Sequence, residues 1–211
     1  MDQRAASRVL RILEEAYPDA GCQLNYSEPL ELLLAITLSA QCTDERVNRV
    51  TLTLFNKYPT AKALAEARQS DIEKIVYSCG FYRQKARSLR SCCKAILEKH
   101  GGNVPNDYAA LVKLDGVGRK TANVFLNEMY GAPRIAVDTH VHRTSNRLGW
   151  AHSNDPVKVE DQIKESVPKR WWVKFSLIMI FHGRRCCSAR RPNCPACPIL
   201  KYCPYEEKLG T

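Results

Sequence analysis

Four cysteines crowd the stretch "CCSARRPNCPACPILKYC": Cys187, Cys194, Cys197 and Cys203, with six, two and five residues between successive members. Cys186 stands directly beside the first. Arg190, Arg191 and Lys201 charge the loop, Pro192, Pro195, Pro198 and Pro204 stiffen it, and no acid occurs between 184 and 203. Three chemistries suit such a cluster. A disulfide pair needs an oxidising compartment. Zinc takes four thiolates in a closed tetrahedral site, but zinc ribbons usually offer two CxxC pairs, and only Cys194 and Cys197 form one here. An iron–sulfur cube also takes four thiolates and is wider, so unequal loops around one CxxC suit it. Cys186 is a competing ligand on sequence grounds.

A second chemical stretch is "LDGVGRKTA". Gly116 and Gly118 flank Val117 between two helical patterns. Glycines let a backbone turn sharply and approach a ligand closely, and the amides of such a turn and the following helix can grip phosphate. The pattern is that of a helix-hairpin-helix, which holds the DNA backbone without reading bases; its plainer reading is a tight helix–helix turn. Arg119, Lys120 and the basic chain favour DNA. Lys120 is then either one more phosphate contact or an amine nucleophile. Asp138, in "RIAVDTHVHR", is either an N-cap for a helix beginning at Thr139 or a carboxylate supporting the lysine chemistry, and the two roles are compatible. His140 and His142 lack the matching spacing of a metal site and read as structural or DNA-facing.

The elements that must position these residues are helical. Residues 4–17 are amphipathic, and "PLELLLAITLSAQ" reads as a buried helix. Thr43 can cap "DERVNRVTLTLFNKY", Thr60 can cap "AKALAEA", and Ser70 with Glu73 forms a capping box for "DIEKIVYSC". "RQKARSLRSCCKAILEKH" stops at Gly101 and Gly102. Asn106 or Asp107 starts "YAALVKL", "RKTANVFLNEMY" ends at Gly131, Asp155 and Pro156 start another helix, and "RWWVKFSLIMIFH" ends at Gly183. "RIAVDTHVHR" alone alternates with period two, as an extended segment or a helix start. The expectation is an all-α protein of about ten helices, with no repeat and no flexible linker.

Bulk properties agree. The chain has 211 residues, net charge +10 and a pI of about 9.2, which favours a polyanionic partner over a merely solubilising surface. The opening "MDQRAASRVLRILEEAYPDAG" has no apolar leader, so a reducing cytosol is expected, where clustered cysteines mean metal or redox chemistry. "WWVKFSLIMIF" is too short for a membrane span and contains Lys174.

The hairpin, the downstream "GAPRIAVDTHVHR" and the cysteine spacing occur in the order found in the endonuclease III family of DNA repair glycosylases. "SAQCTDERVN", "GFYRQKA", "HGGNVP" and "FHGRRCC" are similar to that family's helices and turns. The resemblance runs from about residue 4 to 207. It implies two helical domains with a DNA-binding cleft. One is a helical barrel over 22–132 carrying the hairpin at about 111–130. The other joins 1–21 to 133–211 and holds the cysteine loop at 187–203. It implies that Lys120 is the nucleophile, that Asp138 is its catalytic carboxylate, and that Cys187, Cys194, Cys197 and Cys203 hold a [4Fe–4S] cluster. Gln41 fills the gap left by an extruded nucleotide, and Phe81 falls where the family places an apolar wedge, commonly leucine. Gly116 and Gly118 hold phosphate. Arg119, His140, Arg143, Arg184 and Arg190 are further expected DNA contacts. Two departures stand out: Asp115 replaces the family's hairpin proline, and Phe81 is larger than the usual wedge.

The implied activity is removal of oxidised pyrimidines such as thymine glycol from duplex DNA, followed by β-elimination 3′ of the abasic site through a lysine Schiff base. The expected partner is double-stranded DNA carrying damaged pyrimidines or abasic sites. The protein is expected to be a monomer, away from membranes, in a cytoplasm of prokaryotic type near the nucleoid. The cysteine loop is expected to fold a basic surface of Arg184, Arg185, Arg190, Arg191 and Lys201 rather than to do the chemistry. Rival readings are an adenine-specific mismatch glycosylase, a pyrimidine-dimer glycosylase of the same fold, and a non-catalytic DNA-binding module with zinc in the loop. The first normally lacks the lysine and carries an extra C-terminal domain, whereas this chain ends eight residues after Cys203.

Overall fold

The computed structural model describes residues 2–205. Among them every regular element is helical, and no strand occurs. Eleven α-helices follow in order: α1 (Gln3–Ala16), α2 (Pro29–Leu38), α3 (Asp44–Lys57), α4 (Ala61–Glu66), α5 (Gln69–Val76), α6 (Tyr82–His100), α7 (Tyr108–Leu111), α8 (Arg119–Tyr130), α9 (Thr139–Arg147), α10 (Pro156–Ser166) and α11 (Trp172–Arg185). Short 3₁₀ turns occur at Tyr77–Cys79, Lys169–Trp171, Cys194–Ala196 and Leu200–Tyr202. The all-α reading is correct. No helix among the described residues is long and apolar enough to cross a membrane.

Local chemistry sets most helix starts. Asp2 Oδ1 accepts from Ala5 N at 2.7 Å, Thr60 Oγ1 from Ala63 N at 3.1 Å, and Asp107 Oδ2 from Ala110 N at 2.8 Å. Thr43 caps α3 and Asp155 caps α10 in the same way. Each satisfies an amide that the first turn leaves without a helical partner. At the end of α6, Gly101 takes φ 59° and Gly102 N donates back to Ile96 O at 3.1 Å, a glycine stop.

Several expected boundaries are corrected. α2 ends at Leu38, so Gln41 lies in the turn beyond it, and α7 ends at Leu111. α5 begins at Gln69, with Arg68 before it and no side-chain cap, so Ser70 lies inside the helix. The Gln69 amide bonds to Glu73 instead, at 3.1 Å, which removes Glu73 from any box with Ser70. α11 does not stop at Gly183 but continues to Arg185. A Cβ on Gly183 would lie 3.0 Å from both Cβ and Nδ1 of His140, so this glycine serves the close approach of α11 to α9 rather than a turn. The alternating stretch divides: residues 132–138 have no regular structure, and α9 begins at Thr139.

The chain forms two compact units. Gln23–Tyr130 is one. Leu32 to Leu38 of α2 are all buried there, and α2 packs against α3, α6 and α8; Leu54, Ile72, Leu89, Ile96 and Phe125 are further buried residues of this unit. The other comprises residues up to Cys22 and from Gly131 onward. There Leu10 and Leu13 of α1 join Trp150, Phe175 and Met179, with the Trp150 and Phe175 rings 5.6 Å apart.

Candidate active site and thiol cluster

In the Gln23–Tyr130 unit, α7 leads through a tight turn into α8. Leu114 and Val117 point inward, and Val117 N donates to Leu114 O at 3.1 Å. Gly116 is required twice over. Its φ is 77°, and a Cβ there would lie 2.9 Å from Ser88 Cβ and 3.1 Å from Thr37 Cγ2. Gly118 differs: its φ lies outside the left-handed region and nothing lies within 4 Å of its Cβ position, so the backbone there faces open space. Lys120 follows, exposed on the first turn of α8, where main-chain amides give the helix end positive character. Asp115 is exposed and accepts from Ser88 Oγ at 3.5 Å, a weak tie back toward α6.

The same unit carries Gln41 and Phe81 on two separate turns. Both are exposed, Phe81 to 70%. They are the non-glycine residues with left-handed backbone among those described, at φ 54° and φ 45°. Such conformations persist only where the surroundings hold them. Both turns are bonded to one residue that sequence reasoning passed over. Lys85, 7% exposed, donates from Nζ to Leu38 O at 2.9 Å, Ala40 O at 2.7 Å and Cys79 O at 2.7 Å. Burial lowers the pKa of its ammonium.

In the other unit, Asp138 is the N-cap of α9. Its Oδ1 accepts from His140 N and Val141 N, both at 2.8 Å, so the cap does not use Oδ2. The cap and a chemical role for the carboxylate can therefore coexist on one side chain. His140 follows, half-buried, its pKa lowered chiefly by burial and further by Arg143 and Arg184, against the pull of Asp138. Arg143 spends its guanidinium mostly on main chain: it donates to Gly183 O at 3.0 Å and to Cys187 O at 2.9 and 3.1 Å, and it also meets His140 Nδ1 at 3.2 Å. This geometry makes Arg143 a strut tying α9 to the end of α11.

The cysteine loop belongs to this unit as well. Cys186, Cys187, Cys194, Cys197 and Cys203 line one hollow, with Arg147, His182, Pro192 and Ile199. No disulfide forms among the described residues. His182, Cys186 and Cys197 bring ligand atoms within 4.8 Å of one another. All three are engaged, Cys197 by hydrogen bonds with the Ile199 backbone and the Cys186 thiol. His182 Nδ1 shares a hydrogen bond with Tyr17 Oη at 3.0 Å, and the Cys186 thiol donates to Asn193 O at 3.4 Å. Burial pushes His182 down to about 4 and Tyr17 up to about 12, so the pair is neutral. Cys187, Cys194, Cys197 and Cys203 are each half-buried around the hollow. Arg147 donates to Cys187 Sγ at 3.2 Å and to Ser188 O at 2.7 Å, placing a cation where a thiolate would need one. This donor set fits a thiolate-bound cluster. Arg147 shares a helix face with Arg143, four residues earlier, and that spacing was the one signal that could have found it.

The basic surface expected around the loop needs one correction. Arg185 is paired with both carboxylate oxygens of Asp19, Nη1 to Oδ1 at 2.8 Å, although no acid lies near it in sequence. Arg184, Arg190, Arg191 and Lys201 are exposed.

The fold and these groups correspond to a known class. Residues 34–169 match the HhH-GPD superfamily of base excision DNA repair proteins. The chain is 44% identical over 206 residues to endonuclease III of Synechocystis, covering 97% of this chain and 94% of the relative. It is 41% identical to endonuclease III of Escherichia coli over 99% of both chains. Its fold is similar to that of a trapped endonuclease III–DNA covalent intermediate, with a TM-score of 0.93, 42% identity and coverage of 99% of each chain. The chain belongs to the endonuclease III family within that superfamily.

Proposed function

We propose that the protein is a bifunctional DNA glycosylase and abasic-site lyase of base excision repair, acting on oxidised pyrimidines such as thymine glycol in duplex DNA. The observation that carries this reading is the exposed amine of Lys120, one helical step beyond a glycine hairpin with open backbone at Gly118. Similarity to a solved endonuclease III–DNA covalent intermediate supports duplex DNA as the partner, and so does the net charge of +10. The protein acts as a monomer in the cytoplasm.

A base inside a duplex cannot be reached, so the damaged nucleotide is extruded. An oxidised pyrimidine has lost planarity and stacking, which lowers that cost. Gln41 fills the space vacated and Phe81 wedges the opposite strand. The hairpin amides near Gly116 and Gly118, with Arg119, Arg184 and Arg190, hold phosphate.

Lys120 Nζ attacks C1′, and the bond from C1′ to the base breaks, the base leaving with a proton. The attached nitrogen gives up one N–H proton, its lone pair forms C=N as the C1′–O4′ bond breaks, and O4′ takes up a proton, leaving the protonated Schiff base on C1′. Asp138 supports the positive charge that develops on the sugar and assists proton transfer through Oδ2. The iminium acidifies the C2′ proton; its removal expels the 3′ phosphate by β-elimination, and water then releases Lys120.

Cys187, Cys194, Cys197 and Cys203 would hold a [4Fe–4S] cluster, which when bound would cross-link the loop presenting Arg190. The transfer steps above move no electrons, so the role of these cysteines is structural. Arg143 and Arg147 support the loop from α9.

The test is strand cutting. A labelled duplex with one thymine glycol is cut on the 3′ side by the parent protein, whereas Lys120→Gln binds the duplex and leaves it intact. Cutting by Lys120→Gln at the parent rate would overturn the assignment.

A further inference from the structure

The turns that carry Gln41 and Phe81 lie 40 residues apart in sequence and are joined through one side chain. Lys85 sits on the first turn of α6. Its Nζ donates to Leu38 O, Ala40 O and Cys79 O at 2.9, 2.7 and 2.7 Å. An ammonium has three N–H donors and no acceptor, so main-chain carbonyls fill its entire capacity. Leu38 O belongs to the last residue of α2 and Ala40 O lies just beyond it, where carbonyls lack intrahelical partners and a cation is favoured. Cys79 O closes the 3₁₀ turn two residues before Phe81.

Burying a charge is unfavourable unless it is fully hydrogen-bonded. Here it is, and each acceptor lies within three residues of a left-handed residue, Gln41 or Phe81. Arg46 adds a weaker tie from α3 to the second turn, donating to Ser78 O at 3.2 Å. The acceptors leave Lys85 no donor to offer a ligand, and its burial keeps it off the surface.

We infer that Lys85 is a positioning residue for the repair reaction: its ammonium locks residues 39–43 and 77–81 into one rigid pair of turns, so that Gln41 and Phe81 meet the duplex already set. The inference rests on the proposed roles of Gln41 and Phe81. Without the ammonium, three carbonyls lose their donor, both turns relax from left-handed backbone, and the ordering they have lost must be recovered during DNA binding.

The test is a double-mutant cycle on the full chain, read as single-turnover cutting of a duplex with one thymine glycol. Lys85→Met is made in the parent and in the Gln41→Ala/Phe81→Ala background, with thermal melting of every variant. If Lys85 acts through the two turns, Lys85→Met lowers kcat/KM about 10- to 100-fold in the parent and changes it by less than about twofold in the background lacking both side chains. An equal loss in both backgrounds would show a fold-wide role and overturn the inference, as would no loss in the parent. Should Lys85→Met fail to fold, Lys85→Gln, which keeps an N–H donor, takes its place in the same cycle. A parent chain that leaves the duplex uncut would overturn the functional reading itself, and this inference with it.

Discussion

Gly116 and Ser88 stand so close that a Cβ on the glycine would lie 2.9 Å from the Cβ of the serine. The hairpin is thus seated against α6 through a glycine that also needs φ 77°. Gly118, two residues on, meets neither constraint. One glycine builds the hairpin, and the other leaves backbone bare for a ligand.

That division predicts opposite outcomes for one substitution. Gly116→Ala loses about 2–4 kcal/mol of stability through left-handed strain and overpacking, measured by chemical denaturation. Gly118→Ala stays within about 0.5 kcal/mol of the parent yet binds duplex DNA more weakly by fluorescence anisotropy, because a methyl group covers the open amides.

Asp138 offers a similar separation of roles. Asn is as good a helix cap as Asp, so Asp138→Asn keeps the thermal midpoint while single-turnover cutting falls by about 100-fold or more, the scale of general acid–base and electrostatic terms. Asp138→Ala loses the cutting and, in addition, about 1 kcal/mol of stability. Equal stability of the two variants would contradict the cap observed at Oδ1.

Phe81 is held in a left-handed conformation with most of its surface exposed. Phe81→Gly relieves that strain and raises stability by about 1 kcal/mol, while duplex cutting declines because the wedge is gone. A fall in both would place Phe81 in the fold rather than on the DNA.

The cysteines divide as well. A bound iron–sulfur cluster predicts a yellow-brown protein, and Cys197→Ser is expected to lose that colour and to weaken folding and DNA binding together. Cys186→Ser keeps the colour, because the 6-2-5 cysteine spacing that carries the family resemblance does not include Cys186. Loss of colour in Cys186→Ser would exchange the two assignments. Normal DNA binding by colourless protein would remove the loop from the DNA-facing surface.

Much of this was legible in the chain because it is local. Thr43, Thr60, Asp107 and Asp155 cap helices through bonds spanning two or three residues, and sequence shows such spacings directly. Asp138 was readable as a cap for the same reason. What sequence concealed is long-range. Lys85 drew no reading of its own within its helix, because two of its acceptors lie 45 and 47 residues away. Arg185 was counted with the basic loop, and its partner Asp19 is 166 residues distant. Gly183 read as a helix stop because glycine usually ends helices, and only the neighbouring His140 reveals why the helix continues. The left-handed turn at Gln41 carries no glycine to announce it, and at Phe81 the preceding Gly80 marks a turn without marking the left-handed residue after it.

The central claim is that Lys120 forms a covalent bond to DNA during the reaction, and borohydride trapping tests it most directly. The protein is mixed with a duplex carrying one thymine glycol, borohydride is added, and the products are separated on a denaturing gel. The account predicts a protein–DNA band that is present for the parent and absent for Lys120→Gln. A parent that binds and excises the base without forming the band, or a band that persists in Lys120→Gln, would contradict it.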